Sequence, residues 1–523
     1  MQKLSSRSTS SGPAGRRALL LVPATLLAAL SCTDLTETPR SALTPANAFR
    51  TRDDIMAGLT SVYASLRGAP ENGYFNLNEI TSNEIIVPTR GQDWYDNGKW
   101  LEMYRQTWTP NSASALDDIN GTWNDLFGGI SRANLVLNAI ESAQTPGQDT
   151  VVAELRTLRA FYYYLAMDLF GGVPIVEDTK VEPRARNTRE EVFRFVETEL
   201  NAARATLPAK WDAANYGRMT KGAADAILAN LYLNAQVYLG QVTATGLTRG
   251  TARWQDAITA ADRILNSGVY QLASTYQSNF ALDNESSPEN IFVIVHVAQP
   301  DLGMTFSMRT LHYNQLVAGD TPWNGFAAVA ETYNAYDAAD ARRNVWLVGP
   351  QRSFNTGQPV TDRAGVPLSF TVDIANPEQA NEAEGPRLNK YPPLPGAPAG
   401  SAQPNDFAFF RLGEIYLLKA EAMNELGQTS QALALVNQLR ARAFNPPRPL
   451  STSLSQAQAR EAILNERLFE LAIEGKRRTD LIRAGTYTAA RRFKQAQPGY
   501  KILFPIPQTQ LQTNPLLTQN PGY

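Results

Sequence analysis

The amino-acid sequence predicts a mainly α-helical fold in which three or four pairs of helices form a scaffold, interrupted by a long loop-rich insertion with few short strands. Over 49–68, 115–268 and 406–490, apolar residues recur at spacings of three and four, as on one face of a helix. In at least two places two such patterns follow each other closely, which indicates packed pairs. Residues 270–405 are instead rich in Gly, Pro, Asn and Asp and lack this period, which indicates loops.

The first 32 residues predict a bacterial lipoprotein signal rather than part of the fold. Basic residues precede an apolar run from Ala18 to Leu30, which suits a signal peptide and is shorter than a membrane span of about 20 residues. Cys32 is the only cysteine of the 523 residues and lies two positions after this run. The pattern favours lipid attachment at Cys32, which would hold the chain on a membrane. An ordinary signal peptide with an incidental cysteine is the alternative.

The composition argues against several classes of function. A net charge of −2 offers no basic surface for nucleic acids or anionic lipids. One cysteine and two histidines leave no disulfide and little material for a transition-metal site. The common hydrolase, metalloprotease and nucleotide-binding motifs are absent from the sequence. We therefore expect no enzyme and no cofactor, while Asp- and Asn-rich loops leave a structural calcium open.

The helical elements can be placed in order along the chain. After a polar tether, residues 51–68 show the first apolar stripe, with Gly68 as a stop signal. Further stripes cover 115–142 and 152–170, and Gly171 begins the "GGVP" that ends the latter helix. The rings of "FYYYLAMDLF" point in different directions at helical spacing, so most of them should belong to the core.

Two helix pairs are clearest farther along. Residues 218–240 are followed by a second helical pattern at 253–268, and residues 410–443 repeat this plan around Gly427. A pair of about 34 residues with small residues on its facing surfaces resembles a tetratricopeptide repeat, which buries its apolar face by stacking on neighbours.

The remaining segments carry weaker signals. In the insertion, Asn290 to Val297 ("NIFVIVHV") predicts a strand, and His296 within it predicts a core histidine. The charged run between Glu466 and Asp480 predicts a solvated helix surface whose ion pairs contribute under about 1 kcal/mol. The C-terminal "ILFPIPQTQLQTNPLLTQNPGY" lacks a period and should lie extended over the helices.

Several blocks together resemble the SusD/RagB family of surface-exposed outer-membrane lipoproteins of nutrient-uptake systems. They include "LRAFYYYLAMDLFGGVPIV", "FRLGEIYLLKAEAMNELG", "LNERLFELAIEGKRRTDLIRAG" and the final "NPGY", and they run in the family's order over essentially the whole mature chain. Lys476-Arg477 departs from the residues common there, at a position that should be structural. The resemblance implies a SusD-like fold on about four tetratricopeptide-like helix pairs. It also implies a position over a TonB-dependent, SusC-like transporter.

With this resemblance, the chain divides into a signal peptide (1–31), a lipidated tether (32–48) and one SusD-like domain (49–523). The helical scaffold lies mainly in 49–68, 115–268 and 406–490. The loop-rich portions 69–114 and 270–405 are expected to carry the ligand site, because long loops in compact proteins are usually functional.

The stretch "GQDWYDNGKW" is the first candidate binding segment, because it sets three large rings among polar side chains without apolar periodicity. Aromatic faces can stack on the C–H faces of sugars, while polar neighbours bind hydroxyl groups. The alternative is that some rings fix the loop to the helical body. The candidate residues here are Arg90, Asp93, Trp94, Tyr95, Asn97 and Trp100.

A second candidate segment, "HYNQLVAGDTPWNGF", repeats the combination of rings and amides in the insertion. Its candidate residues are Tyr313, Trp323 and Asn324, against the alternative of loop packing. The sequence thus predicts a lipid-anchored protein of the bacterial outer membrane, facing the cell exterior, that captures an oligosaccharide or a peptide for a SusC-like partner. A surface glycoside hydrolase and a protein-binding repeat scaffold are the alternatives.

Overall fold

A computed structural model describes residues 49, 51–69, 71–143, 147–316, 321–397 and 401–523. The signal segment, Cys32 and the tether to residue 48 therefore lie outside the described residues, as do residues 317–320 of the second candidate segment. Helices fill most of the three regions where the sequence predicts them, and the fold is mainly helical with few short strands. This confirms the predicted fold class.

The α-helices are α1 Arg52–Ala64, α2 Gly73–Glu79, α3 Lys99–Arg105, α4 Asn120–Ala143, α5 Asp149–Phe170, α6 Arg189–Arg204, α7 Lys221–Leu233, α8 Ala235–Tyr238, α9 Trp254–Leu265, α10 Phe306–Thr310, α11 Ala330–Ala335, α12 Leu412–Glu425, α13 Thr429–Ala443, α14 Gln456–Leu471, α15 Arg477–Ala484 and α16 Gln508–Thr513. A π-helical turn, Ala115–Ile119, leads into α4. The helix α16 lies in the C-terminal segment, which is otherwise extended as expected.

Local sequence determines where several helices begin and end. Thr51, Thr188 and Ser455 precede α1, α6 and α14, and each accepts a hydrogen bond from a backbone N–H of the first turn in a capping box. The helix α5 ends before Gly171, whose φ of +74° a residue with a Cβ adopts only with strain.

The scaffold is built around α5, which is buried along nearly its whole length. It packs against α4 and α6, while α7 packs against α9, and α12 packs against α9, α13 and α14. Phe161, Tyr162 and Tyr163 are all buried, which confirms that the rings of this segment belong to the core. Consecutive helices thus stack side by side, consistent with the predicted tetratricopeptide-like pairs.

The described strands form two-stranded antiparallel sheets. They are β1 Ile85–Ile86, β2 Gln241–Thr243, β3 Gly246–Thr248, β4 Asn290–Ile294, β5 Ala327–Ala328, β6 Trp346–Leu347, β7 Gly349–Pro350, β8 Ser369–Phe370, β9 Arg387–Leu388 and β10 Phe407–Arg411. The pairs are β1 with β5, β2 with β3, β4 with β10, β6 with β9, and β7 with β8. The strand β4 confirms the predicted strand, and His296 just after it is buried as expected.

The charged run between Glu466 and Asp480 is not the solvated surface that the sequence predicts. Its charged side chains are buried: Glu466, Arg467, Glu470, Glu474, Lys476, Arg477, Arg478 and Asp480. Arg467 pairs with Asp480 within the run, at 2.9 Å. Other partners come from distant segments: Arg342 Nη1 lies 2.7 Å from Glu466 Oε1, and Arg411 Nη1 lies 2.7 Å from Glu470 Oε1. Buried charges persist only when they are paired. The run therefore forms part of an internal ion network, and Lys476, 3.2 Å from Glu414, takes part in it.

Two short helices, α2 and α3, lie in the portion 69–114 that the sequence predicts as loop. In α3, Trp100, Met103 and Tyr104 are spaced three and four apart and all are buried. The prediction that Trp100 lies outside any apolar helical stripe was therefore wrong. The helix α3 anchors the turn 90–98 to the core, and this turn carries the first candidate segment.

Candidate functional site

Two aromatic segments that are distant in sequence meet on the surface of the protein. The indole Nε1 of Trp94 donates a hydrogen bond to the backbone oxygen of Trp323 over 2.6 Å. The centroids of the two indole rings lie 6.4 Å apart, with the ring planes at 49°. The structure thus brings the two predicted binding segments together. We refer to Trp94, Tyr95 and Trp323 as the aromatic patch.

The backbone and the neighbouring rings fix the orientation of Trp94. Its φ is +62°, a left-handed conformation that is unusual for a bulky residue. Its ring makes edge contacts with Trp100 at 5.3 Å and packs on Phe326 at 5.6 Å between centroids. A Cβ on Gly325 would lie 2.3 Å from this ring, so the ring occupies the space that a side chain there would need. Trp94 is thus held before any ligand arrives.

The outer members of the patch present their faces to solvent. The side chain of Tyr95 is 59% exposed and that of Trp323 is 44% exposed, which is unusual for rings of this size. Asn97 is also exposed, at a φ of +56° that asparagine tolerates better than most residues. These three residues are placed where a ligand can reach them.

Arg90 is buried beneath the patch rather than on its surface. Its guanidinium donates hydrogen bonds to the backbone oxygens of Asn381 and Glu384, the latter over 2.9 Å. Burial lowers the pKa of this guanidinium to about 10. The geometry therefore gives Arg90 a supporting role between the turn 90–98 and the segment 381–387.

Asn324 and Trp100 are likewise interior. The Oδ1 of Asn324 accepts a hydrogen bond from Arg387 Nη2 over 2.9 Å, and its Nδ2 donates to the backbone oxygen of Glu382 over 3.1 Å. The Nε1 of Trp100 donates to Asp96 Oδ2 over 2.6 Å. Both side chains thus hold the loops of the patch in place, which is the packing alternative that the sequence left open.

Asp93 and Tyr313 link the patch to the inserted loops. The Tyr313 hydroxyl donates to Asp93 Oδ2 over 2.5 Å, and Arg363 Nη2 lies 3.1 Å from the same oxygen. Arg363 also stacks on the Tyr313 ring at 4.2 Å and pairs with Glu382, which in turn lies 3.0 Å from His312 Nε2. Burial lowers the pKa of His312, although the neighbouring Glu382 carboxylate acts to raise it. These contacts fix Tyr313 beside the patch.

A recess of about 310 Å³ opens beside the patch, with Trp94, Trp100 and Trp323 on one side. Its other walls come from α2, from the π-helical turn and from the start of α4. The polar side chains that line it are Asn72, Asn76, Lys99, Asp117, Asp118, Thr122, Asp125 and Arg309. None of these residues is among the binding residues that the sequence predicts. Asp117 and Asp118 lie in the π-helical turn just before α4, where acids are usually taken as partners of the helix dipole, so no specific signal marked them.

A second recess, of about 350 Å³, is bounded by Trp211, Tyr216 and Tyr270. It is slightly larger than the recess beside the patch. However, the guanidinium of Arg218 lies 4.0 Å from the Trp211 ring and covers that face. The recess beside the aromatic patch combines exposed ring faces with polar groups, so we assign the candidate site there.

Gly325 offers a test of this assignment that leaves the exposed side chains unchanged. We expect Gly325→Ala to displace the Trp94 ring and to weaken ligand binding about tenfold, because a Cβ would collide with the indole. Binding isotherms of the variant and the wild type measure this effect. Gly128→Ala in α4 is the matched control, because Gly128 does not line the recess and a Cβ there meets only the end of the Arg132 side chain at 3.4 Å.

Within the described ranges, there is no group of three or more His, Cys, Asp or Glu side chains that could hold a metal ion. None of the helices described combines the length and apolar character that crossing a membrane requires.

Comparison with known proteins finds family models and relatives that match this chain. A family model described as "SusD family" matches residues 266–523, and one described as "Starch-binding associating with outer membrane" matches residues 44–233. The SusD-like protein P25 of Formosa agariphila is 24% identical over 95% of this chain and 98% of its own length.

Two solved structures show the same fold. A SusD-like protein from Bacteroides fragilis superimposes with a TM-score of 0.74 at 21% identity, covering 92% of this chain and 100% of that one. Surface glycan-binding protein A from Bacteroides thetaiotaomicron, solved in complex with laminarihexaose, superimposes with a TM-score of 0.71 at 21% identity, covering 90% and 100%. The two family models together match most of the sequence, and this chain belongs to the SusD/RagB family.

Proposed function

We propose that this protein is a non-catalytic, cell-surface lipoprotein that binds oligosaccharides and delivers them to a TonB-dependent, SusC-like outer-membrane transporter. The observation that carries the binding role is the aromatic patch. The exposed ring of Trp323 lines, together with Trp94, a recess that carries hydrogen-bonding side chains, and Tyr95, next to Trp94 in the chain, is exposed as well. Apolar faces for C–H groups and polar atoms for hydroxyls are the two requirements of sugar binding.

The related proteins support this proposal through what their names state. One matching family model is described as starch-binding, and one similar structure is a glycan-binding protein holding laminarihexaose. Starch and laminarin are both polymers of glucose, so these two are the first ligands to test.

Intrinsic tryptophan fluorescence tests the binding role directly, because Trp94 and Trp323 both contribute to the site. We expect laminarihexaose or maltohexaose to change the emission saturably, and isothermal titration to yield a matching affinity. Moderate affinity is expected, since a delivered ligand must be released. If neither these sugars nor a broader panel binds while unstructured peptides do, the peptide alternative replaces this proposal.

The glycosidase alternative calls for a separate assay. Incubation with the same oligosaccharides, followed by chromatography, should release no shorter products if the protein only binds. Products that vanish on replacing Asp117 or Asp125 by asparagine would instead identify an enzyme.

The anchoring role rests on Cys32, which lies outside the described residues. We expect Cys32→Ala to move the protein from the outer-membrane fraction to the soluble fraction, because acyl chains contribute about 0.8 kcal/mol per buried CH₂. Fractionation and metabolic labelling with a palmitate analogue measure this. Ser31→Ala is the matched control, and retention of the Cys32→Ala variant in the membrane would contradict the lipid anchor. Co-purification of the wild type with a barrel protein tests the transporter partner.

A further inference from the structure

Negatively charged side chains outnumber positively charged ones around the candidate site. Apart from the buried Arg90, whose guanidinium is bound to backbone oxygens, five carboxylates and three cations lie in the turn of the patch, along the recess or against Asp93. They are Asp93, Asp96, Asp117, Asp118 and Asp125 on one side, and Lys99, Arg309 and Arg363 on the other. The balance matters because a ligand group that enters the recess loses part of its hydration and interacts with these charges at short range.

The three cations are already engaged by protein groups. Lys99 Nζ lies 2.5 Å from Asp117 Oδ2 and 3.1 Å from Asp118 Oδ2. Arg309 is buried over the Phe326 ring and donates hydrogen bonds to the side-chain oxygens of Asn72 and Asn76. Arg309 has no carboxylate partner in the part of the chain that the structure describes, and its Nε makes no hydrogen bond. An anionic ligand group would have to displace a carboxylate from Lys99 or compete with the two amides for the Nη donors of Arg309.

Arg363 follows the same pattern, because it pairs with Glu382 and Asp93 and stacks on Tyr313. Its guanidinium is about half exposed, and its Nε and Nη2 complete the network that holds the patch, so an anionic group could use these two donors only by displacing Glu382 or Asp93.

The carboxylates, in contrast, keep oxygens for a ligand. Asp117 is 67% exposed despite its contact with Lys99. Asp125 is exposed at the rim, and it has no hydrogen bond or salt bridge to any residue that the structure describes. Desolvation raises the pKa of the Asp125 carboxyl group above its ordinary value, and the charge of Arg132 offsets this only in part.

Ionised carboxylates only accept hydrogen bonds, so they select for ligand groups that donate. Sugar hydroxyls donate, whereas the carboxylate group of a uronate and a sulfate ester group do not and are repelled by carboxylates. We infer that this site takes uncharged oligosaccharides and discriminates against uronate-containing and sulfated ones. The inference rests on the proposed sugar-binding function and specifies its substrate class.

Matched polysaccharides that share one backbone test this inference. Laminarin is compared with sulfated laminarin, and amylopectin with carboxymethyl amylopectin, by affinity electrophoresis and titration with the wild type and with Trp323→Ala. We expect at least one neutral polymer to bind about tenfold or more tightly than its anionic derivative, in a manner that depends on Trp323.

A double variant, Asp117→Asn with Asp125→Asn, tests whether these carboxylates cause the preference for neutral polymers. Both side chains are exposed, so the variant should fold, and thermal unfolding checks this. We expect the preference for the neutral polymer to fall about fivefold or more, because Lys99 then keeps only Asp118 as a partner. The matched control is Glu141→Gln, an exposed acid about 24 Å farther along α4 from Asp125.

The outcomes separate the inference from the proposed function. Binding of an anionic derivative that depends on Trp323 and equals or exceeds the neutral affinity would overturn the charge argument and leave sugar binding intact. An unchanged preference in the double variant would overturn it as well. If no polymer of either kind binds, the proposed function fails, and the inference fails with it.

Discussion

Trp323→Ala is expected to weaken oligosaccharide binding about 30-fold, which corresponds to about 2 kcal/mol and is the size of effect seen at central aromatic contacts. The ring is 44% exposed and forms one wall of the recess. Its removal takes away a stacking face without leaving a buried cavity. The backbone oxygen that accepts the hydrogen bond from Trp94 remains, so the rest of the patch should keep its position.

Titration of the wild type and the variant with laminarihexaose and maltohexaose measures this effect. Trp323→Phe is the conservative comparison and should recover most of the affinity, because a phenyl ring still offers a face. Leu516→Ala removes another exposed apolar side chain, which is 52% exposed, and should leave binding unchanged. A Trp323→Ala variant that binds both sugars as tightly as the wild type would move the site away from the aromatic patch.

Local sequence patterns can single out unusual residues of the site, but they cannot show contacts between residues that are far apart along the chain. Trp94, Tyr95 and Trp323 stand out because large rings among polar residues are unusual in loops. Whether a given side chain in such a loop is exposed depends on partners that the local pattern does not contain. Arg90 is buried because its guanidinium meets backbone oxygens near residue 381, almost 300 positions away.

Distant partners also explain the largest difference between the predicted and the observed fold. Helical stripes such as that of α5 are correctly predicted because each stripe contains the residues that define its buried face. A run of charges predicts exposure, since acidic and basic residues are seldom fully buried without partners. The partners of the run 466–480, which include Arg342 and Arg411, lie in the insertion and in β10. No pattern within the run itself could indicate them.

Arg411 belongs to this buried network and is expected to contribute strongly to folding stability. Its guanidinium contacts three buried carboxylates: Nη1 lies 2.7 Å from Glu470 and 3.4 Å from Glu289, and Nη2 lies 2.7 Å from Glu474. We expect Arg411→Met to lower the free energy of unfolding by about 3–5 kcal/mol, because the buried carboxylates then share only Arg442, Arg342 and Lys390 and the network lacks one positive charge.

Dependence on pH distinguishes this mechanism from a simple packing defect. Burial alone would raise the pKa of Glu470, but the charges of Arg442 and Arg411 outweigh it and hold the pKa well below its ordinary value. A carboxyl group with a depressed pKa stabilises the folded state above its unfolded pKa of about 4.3, and this contribution is lost as the pH falls. In Arg411→Met the carboxylates can take up protons more easily when folded. The difference in stability from the wild type should therefore shrink below about pH 4.

Urea denaturation at pH 7 and pH 3.5, followed by circular dichroism, measures both quantities. Arg448→Met is the matched control, because it removes an arginine from an exposed pair with Asp337 at 2.6 Å and should cost less than about 1 kcal/mol. Arg411→Lys keeps the charge without the planar fork and should fall between the wild type and Arg411→Met. An Arg411→Met variant as stable as the Arg448→Met control, or equally destabilised at both pH values, would show that packing rather than charge pairing holds these carboxylates in the core.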